Sequence, residues 1–130
     1  AAVHVLVEGL VDLGLLVGEV DGLIEQGSYR HLYMHRTGHW LGLDVHDVGA
    51  YRLGEHHVQL EPGIVLTVEP GLYISDRLAV PEGQPAIDER WKGIGIRIED
   101  DVAVMDCAEH ACGHEVLTAG ALKAVDAMER

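Results

Sequence analysis

The sequence is poor in basic residues. It carries 9 lysines and arginines against 22 aspartates and glutamates, which gives a formal net charge of −13 over 130 residues. Such an acidic surface repels phosphate backbones and anionic lipid headgroups. The composition therefore argues against nucleic acid and membranes as partners. The length suits a single domain, 1–130.

Cysteine is scarce as well, since the chain has only two. This predicts reduced thiols and a cytoplasmic location. Both cysteines lie in the segment CAEHACGH, together with two histidines; the four residues are Cys107, His110, Cys112 and His114. Structural zinc sites usually draw their ligands from two separated pairs, so the tight spacing favours a polar surface loop. A metal site in this segment stays the alternative.

The apolar N-terminal segment lacks the features of a signal peptide or a membrane span. No basic residue precedes it, and Glu8 and Asp12 interrupt it. Its apolar residues recur at helical spacing and predict an amphipathic helix; they are Val3, Leu6, Val7, Leu10 and Val11. With no initiator methionine and no capping residue, we expect a further segment on the N-terminal side.

The rest of the chain predicts an α+β fold. EVDGLIEQG is typical of a short helix that ends at Gly27. Four segments then read as strands: 32–35, 39–46, 63–74 and 93–105. The polar, proline-bearing segment 75–93 predicts a surface excursion, and 121–130 a closing helix. Neither a GxGxxG fingerprint nor βαβ alternation is present, which argues against a Rossmann-type sheet.

The segment HRTGHWLGLDVHD, residues 35–47, carries three histidines and two aspartates. His39 and His46 are seven positions apart, so a straight strand would send them to opposite faces. Gly38 and Gly42 leave the backbone room to bend or to approach a ligand closely. One histidine can then coordinate a metal while the other donates a proton or stabilises an oxyanion. Ordinary surface or core histidines are the alternative.

Two carboxylates on apolar strands extend this pattern. Glu69 lies in TVEPG, and strict alternation in IGIRIEDD places Arg97 and Glu99 on one strand face. A structural ion pair between Arg97 and Glu99 is one interpretation. The other is that both glutamates bind a hard divalent ion together with a histidine. Taken together, the histidines and glutamates favour a metal hydrolase.

Three long motifs, HRTGHWLGLDVHDVG, LEPGIVLTVEPGLYI and GIGIRIEDDVAV, resemble the C-terminal part of the pita-bread metallopeptidases, most closely the bacterial Xaa-Pro aminopeptidases. The resemblance runs from the first helix to the LT of EVLTAG. Methionine aminopeptidases lack the WLGLDVHD wording, and prolidases usually carry a longer insertion before LEPG. The resemblance implies a partial pita-bread catalytic domain over 1–130, with a curved, mainly antiparallel sheet covered by helices.

The same resemblance implies a role for each matching residue. The ligands of a two-metal centre, typically manganese, would be His39, Glu69 and Glu99. Glu99 would bridge both ions, and Glu69 would also act as general base. His46 would stabilise the tetrahedral intermediate or hold the scissile carbonyl. The remaining residues would shape the site: His35 lines the pocket for the substrate's proline, Arg97 orients the carboxylates, and Tyr73 lines the site. The substrates would be peptides with proline at the second position.

Two departures from the family pattern bear on activity. Arg36 stands where the family often has glycine. The family's centre also takes two aspartates, and its substrate site a further histidine, from a region that precedes the first helix here. We therefore expect weak or no activity from this chain alone. A non-catalytic binding or structural module and a prolidase are the alternatives.

The ligands expected from that preceding region leave a third option. A partner chain, or a nearby carboxylate of this one, then supplies a missing ligand; the nearby carboxylates are Asp44, Asp47, Asp100 and Asp101. An exposed sheet edge and uncovered apolar surface would remain, and these predict a homo-oligomer.

Overall fold

The structure, a computed structural model, describes residues 1–108 and 113–129. It divides the chain into two compact units. The first consists of Ala1–His35 and Pro70–Arg97, and the second of Arg36–Glu69 and the described part of Ile98–Arg130. A single partial catalytic domain over 1–130 stays a prediction. None of the helices in the described ranges is long and apolar enough to cross a membrane.

The first unit contains two helices and a two-stranded sheet. Helix α1 spans Ala2–Asp12 and helix α2 spans Val20–Gln26. Strands β4 (Gly71–Ile74) and β5 (Ile94–Arg97) pair antiparallel, and a 3-10 helix, Glu89–Trp91, precedes β5. Both predicted helices are confirmed. Helix α2 ends at Gly27, whose φ of 70° is the left-handed conformation that glycine adopts without a steric cost.

A hydrophobic core fills the first unit. The predicted face of α1 supplies the buried Val7 and Leu10, while Val3 and Val11 pack at its margin. The other buried members come from the following loop, α2 and the sheet; they are Leu15, Leu16, Leu23, Leu32 and Ile74. The segment 75–93 is not wholly a surface excursion, because some of its side chains pack against this core: Leu78, Ile87 and Trp91.

The second unit is built on a three-stranded antiparallel sheet in the order β3-β6-β7. These strands span Val65–Val68, Asp100–Val104 and His114–Val116. A hairpin of β1 (Arg52–Leu53) and β2 (His56–His57) precedes the sheet, and the short helix α3 (Val125–Met128) follows it. Among its described residues the buried ones are polar, Thr67 and Glu69.

The α+β class and the antiparallel pairing are confirmed, but several predicted strands are wrong. Residues 32–35 form turns and coil, and 39–46 contribute only an isolated bridge between Trp40 and Leu66. The predicted strand 63–74 is two strands, because Pro70 has no N–H for a ladder bond. The predicted strand 93–105 is also two, separated at residues 98–99. The closing helix is shorter than predicted, and the β1–β2 hairpin and β7 were not predicted.

Of the CAEHACGH segment, Cys107 is an exposed free thiol. Residues 109–112, with His110 and Cys112, lie outside the described ranges. The choice between a surface loop and a metal site there stays a prediction.

Candidate metal centre

The backbone of His39 is hydrogen-bonded to strand β3, and its ring is held by the carbonyl of the next residue, Trp40. Its carbonyl accepts a hydrogen bond from the Thr67 N–H at 2.9 Å, and its own N–H donates to Thr67 Oγ1 at 3.0 Å. The ring Nδ1 lies 2.9 Å from the Trp40 carbonyl oxygen. Because a carbonyl only accepts, Nδ1 must carry the proton in this contact, and Nε2 then presents its lone pair. This is the tautomer that a metal ligand needs.

Gly38 allows the segment before His39 to lie this close to β3. A Cβ at position 38 would come within 1.9 Å of the Thr67 carbonyl oxygen. On either side of this contact, Glu69 N–H donates to the Thr37 carbonyl at 2.6 Å, and Thr67 N–H to that of His39. Glycine is therefore required here for close backbone approach, as the sequence predicts.

The strand register brings Glu69 and Glu99 together. Val68 of β3 pairs with Asp100 of β6, so the next residue on one strand, Glu69, faces the residue preceding the other, Glu99. Glu69 is buried, at 8% exposure, whereas Glu99 is exposed. Thr67 Oγ1 donates to Glu69 Oε1 at 3.3 Å. Two like charges directly opposite each other are unfavourable unless a cation lies near both.

One imidazole and two carboxylates converge at this point. One ligand atom from each of His39, Glu69 and Glu99 lies within 4.8 Å of the others. His39 Nε2 is 3.3 Å from Glu69 Oε1. Two ligands of one ion, at right angles and with bonds of about 2.1 Å, are separated by about 3 Å. The donor set suits a divalent ion such as manganese, iron or zinc. Within the described ranges this is the one such group, and none of Asp44, Asp47, Asp100 and Asp101 belongs to it.

The loop after His39 folds back and brings His46 to it. Asp47 N–H donates to the Trp40 carbonyl at 3.1 Å, which closes the loop. The His39 and His46 rings meet edge to face, with centroids 4.3 Å apart and planes at 89°. A straight strand is therefore the wrong description of 39–46, and the odd spacing does not separate the two histidines. His46 is exposed, so it is accessible to a bound ligand.

The other predicted site residues form a hydrogen-bonded chain in the first unit. The Tyr73 hydroxyl accepts from Arg97 Nε at 2.8 Å and lies 3.1 Å from His35 Nε2. The phenol can donate to His35 while it accepts from Arg97. The His35 ring also packs edge-on against Tyr33 and Tyr73. Arg97 thus positions Tyr73, and its predicted role in orienting the carboxylates stays a prediction.

Arg36, the departure from the family pattern, lies on an aromatic stack. Its guanidinium carbon is 5.0 Å from the centroid of the Tyr51 ring. Tyr51 also stacks on Trp40, with ring centroids 5.0 Å apart and an interplanar angle of 10°. The stack connects Arg36 with the residue that follows His39.

Two further features of this unit have little signal in the sequence. Thr67, which links His39 to Glu69, shares a strand face with Glu69 at a spacing of two, and that alternation was the available signal. Asp100 accepts hydrogen bonds from Lys123 and from Thr118, which lower its pKa. Lys123 and Asp100 are 23 residues apart, so no local pattern could have paired them.

Comparison with known proteins gives consistent matches. The model of metallopeptidase family M24 matches residues 2–106. The chain is 48% identical over 127 residues to an Xaa-Pro aminopeptidase of Haemophilus influenzae, covering 98% of this chain. It is 37% identical over 133 residues to an Xaa-Pro dipeptidase of Homo sapiens, covering 85%. The solved structure of Pseudomonas aeruginosa aminopeptidase PepP matches with a TM-score of 0.82 and 51% identity over 98% of this chain.

These matches concern part of each relative. The chain spans 26% of the length of the Haemophilus influenzae protein, of the human protein and of the Pseudomonas aeruginosa chain alike. The structural match confirms the resemblance to the pita-bread aminopeptidases.

Proposed function

Because this chain belongs to metallopeptidase family M24, we propose that it carries part of the active site of a divalent-metal-dependent aminopeptidase. The reaction would release the N-terminal residue from peptides that have proline at the second position. The observation that supports this most directly is the convergence of His39, Glu69 and Glu99 within 4.8 Å. The higher identity to an Xaa-Pro aminopeptidase than to an Xaa-Pro dipeptidase supports the substrate class.

In this proposal His39, Glu69 and Glu99 hold the metal. Bound divalent ions would polarise the scissile carbonyl and make water a nucleophile at neutral pH. Glu69, buried and hydrogen-bonded to Thr67, is suited to accept a proton as general base. His46, exposed beside His39, would donate a hydrogen bond to the developing oxyanion. In the first unit, His35 and Tyr73 would contact the substrate's proline, with Arg97 holding Tyr73 in place.

We further propose that the metal is manganese and that the complete centre holds two ions. Carboxylate oxygens with one imidazole suit manganese and equally suit iron or zinc, so the donor set alone leaves the metal open. Three donors can hold one ion, and a second ion would need further carboxylates. The aspartates that the family resemblance implies are such ligands.

Metal binding can be tested on this chain directly. Titration calorimetry with Mn²⁺ should detect binding to the wild-type protein, and Glu99→Gln should weaken it by at least about tenfold, or 1.4 kcal/mol. Glu115→Gln is the matched control, because Glu115 is exposed in the same sheet and lies outside the ligand group. Equal affinities for the wild type and Glu99→Gln would contradict the proposed ligand set.

The substrate class needs a separate assay. We expect this chain alone to be weakly active or inactive. Any cleavage by the manganese-loaded protein should release the first residue from an Xaa-Pro tripeptide and leave both an Xaa-Pro dipeptide and an Xaa-Ala tripeptide intact. Cleavage of the dipeptide alone would indicate a prolidase. Stoichiometric metal binding without any cleavage would fit a non-catalytic module and equally a chain that lacks the further aspartate ligands.

Self-association and a cytoplasmic location complete the proposal. One face of the β3-β6-β7 sheet has an open, largely apolar depression of about 660 Å³, with Leu60, Leu66, Val102 and Val104 among its lining residues. A second copy of this chain could cover it. Sedimentation velocity should then show a dimer or larger species, and a monomer at all concentrations would contradict this. The cytoplasmic location is supported by the low cysteine content of the chain, and cell fractionation would test it.

A further inference from the structure

A polar cluster surrounds Asp100, the residue next to Glu99. Thr118 Oγ1 donates to Asp100 Oδ1 at 2.7 Å, and Lys123 Nζ donates to the same oxygen. Lys123 Nζ also donates to the Thr118 carbonyl at 2.9 Å, and Asp101 N–H donates to Thr118 Oγ1 at 3.0 Å. These bonds join Thr118 and Lys123 to the first two residues of β6.

The cluster lies at the end of β6 next to Glu99, where the pairing between β3 and β6 ends. Asp100 is the first residue of β6 and the last that pairs with β3. Glu99 precedes this last pair and lies outside strand β6, and its side chain is exposed. An exposed glutamate loses considerable side-chain entropy when it is held in one place. If the backbone on the C-terminal side of Glu99 is already fixed, Glu99 loses less conformational entropy when it binds a metal.

The ion pair in this cluster differs from an ordinary surface pair. The side chains of Lys123 and Asp100 are 26% and 29% exposed, so both partners are mostly covered. The pair of Lys92 and Glu89 offers a comparison, since Lys92 is 31% exposed but its partner Glu89 is 85% exposed. Exposed pairs of that kind contribute little to stability. A mostly covered pair with a hydroxyl and a carbonyl around it restricts the backbone more strongly.

We propose that Lys123, acting through Asp100 and Thr118, is a positioning residue that holds Glu99 opposite Glu69 and His39 for metal binding. The proposal rests on the proposed function, since it assigns Lys123 to the same centre. It also gives Asp100 a role other than ligand, because Lys123 and Thr118 occupy its Oδ1 atom. Loss of an outer partner of this kind typically lowers metal affinity by about 10–100-fold.

The test compares metal affinity with stability in the same variants. Lys123→Met should weaken Mn²⁺ binding by about tenfold or more, and Lys123→Arg, which keeps the charge and donors, should restore most of the affinity. Lys92→Met, the matched control at the exposed pair, should bind as the wild type does. Thermal unfolding in a chelator, measured on each protein, separates an effect on the metal-free fold from an effect on the site.

A second variant covers the case in which Lys123→Met fails to fold. Thr118→Val keeps the shape of the side chain and removes the hydroxyl, and it should also weaken Mn²⁺ binding. Wild-type affinity in a Lys123→Met or Thr118→Val protein that is only less stable would overturn this inference and leave the proposed function intact. A wild-type protein that binds no Mn²⁺ would overturn both.

Discussion

Single hydrogen bonds determine what the histidines of this chain can do. The Trp40 carbonyl fixes the Nδ1 proton of His39 and leaves Nε2 facing Glu69. His35 meets a phenol, and His46 meets the edge or face of the His39 ring. The same residue type thus serves as a metal-ligand candidate, a hydrogen-bond partner and an exposed donor, according to its neighbours.

His31 provides a residue-scale prediction of pH dependence. Its Nδ1 lies 2.8 Å from the Ser28 carbonyl, and its Nε2 is buried with no hydrogen-bond partner in the described part of the chain. Burial lowers the pKa of His31 below 6.5, partly offset by the bond to Ser28. The unfolded chain therefore binds this proton more readily, so the contribution of neutral His31 to the free energy of unfolding is fully present above pH 6.5 and is lost as the pH falls through the folded-state pKa.

Replacement of His31 should flatten this dependence. His31→Gln cannot titrate, so its melting temperature should change less between pH 7.5 and pH 5.5 than that of the wild type. His57→Gln, at an exposed position of β2, should keep the wild-type dependence. Thermal unfolding at both pH values measures the difference. An unchanged slope in His31→Gln would show that other groups cause the acid sensitivity.

At the scale of the element, the loop after His39 depends on close backbone approach. The chain passes from the isolated bridge at Trp40 through a tight return that ends at Asp47. A Cβ at position 42 would lie 1.8 Å from Asp47 Oδ2, so a side chain there would require the Asp47 side chain to move. The sequence shows both glycines but not the direction of the bend, because the bend follows from long-range bonds to β3.

Gly38→Ala tests the approach of this loop to β3. The new methyl would meet the Thr67 carbonyl at 1.9 Å, and the strand or the loop would have to move. We expect a loss of about 2–3 kcal/mol in the free energy of unfolding, measured with urea, and weaker Mn²⁺ binding because His39 moves. Gly9→Ala is the control: nothing lies within 4 Å of its Cβ, and alanine should stabilise α1 by about 0.5–1 kcal/mol. Equal effects of the two changes would contradict a steric role for Gly38.

The elements that the sequence predicted well are those with local causes. Helix α1 follows from the apolar spacing of Val7 and Leu10, and α2 ends at Gly27 for a conformational reason. Strands depend on distant partners, and a short apolar run such as 32–35 contains no information about them. The residue pattern singled out the histidines and glutamates of the site, and the family resemblance supplied their individual roles. That Glu69 faces Glu99 follows from the pairing of Val68 with Asp100, which the sequence does not reveal.

At the scale of the whole molecule, charge and apolar packing are unevenly distributed. The formal net charge is −13. The two buried side chains of the second unit, Thr67 and Glu69, lie at the candidate metal centre. The buried apolar residues of the described chain belong to the first unit. We therefore expect a bound cation to stabilise the second unit in particular, since it relieves the repulsion between Glu69 and Glu99.

Hydrogen exchange with and without Mn²⁺ would locate this stabilisation. A ligand at 100 times its dissociation constant adds about 2.7 kcal/mol to the stability of the part that binds it, which slows exchange by about 100-fold. Protection should rise in peptides from 37–41, 65–69 and 98–104, where the ligands and their backbone bonds lie, and stay unchanged in α1 and α2. Glu99→Gln under the same conditions should show no added protection. An equal rise in α1 would contradict the prediction, because it would mean that the chain opens as one cooperative unit.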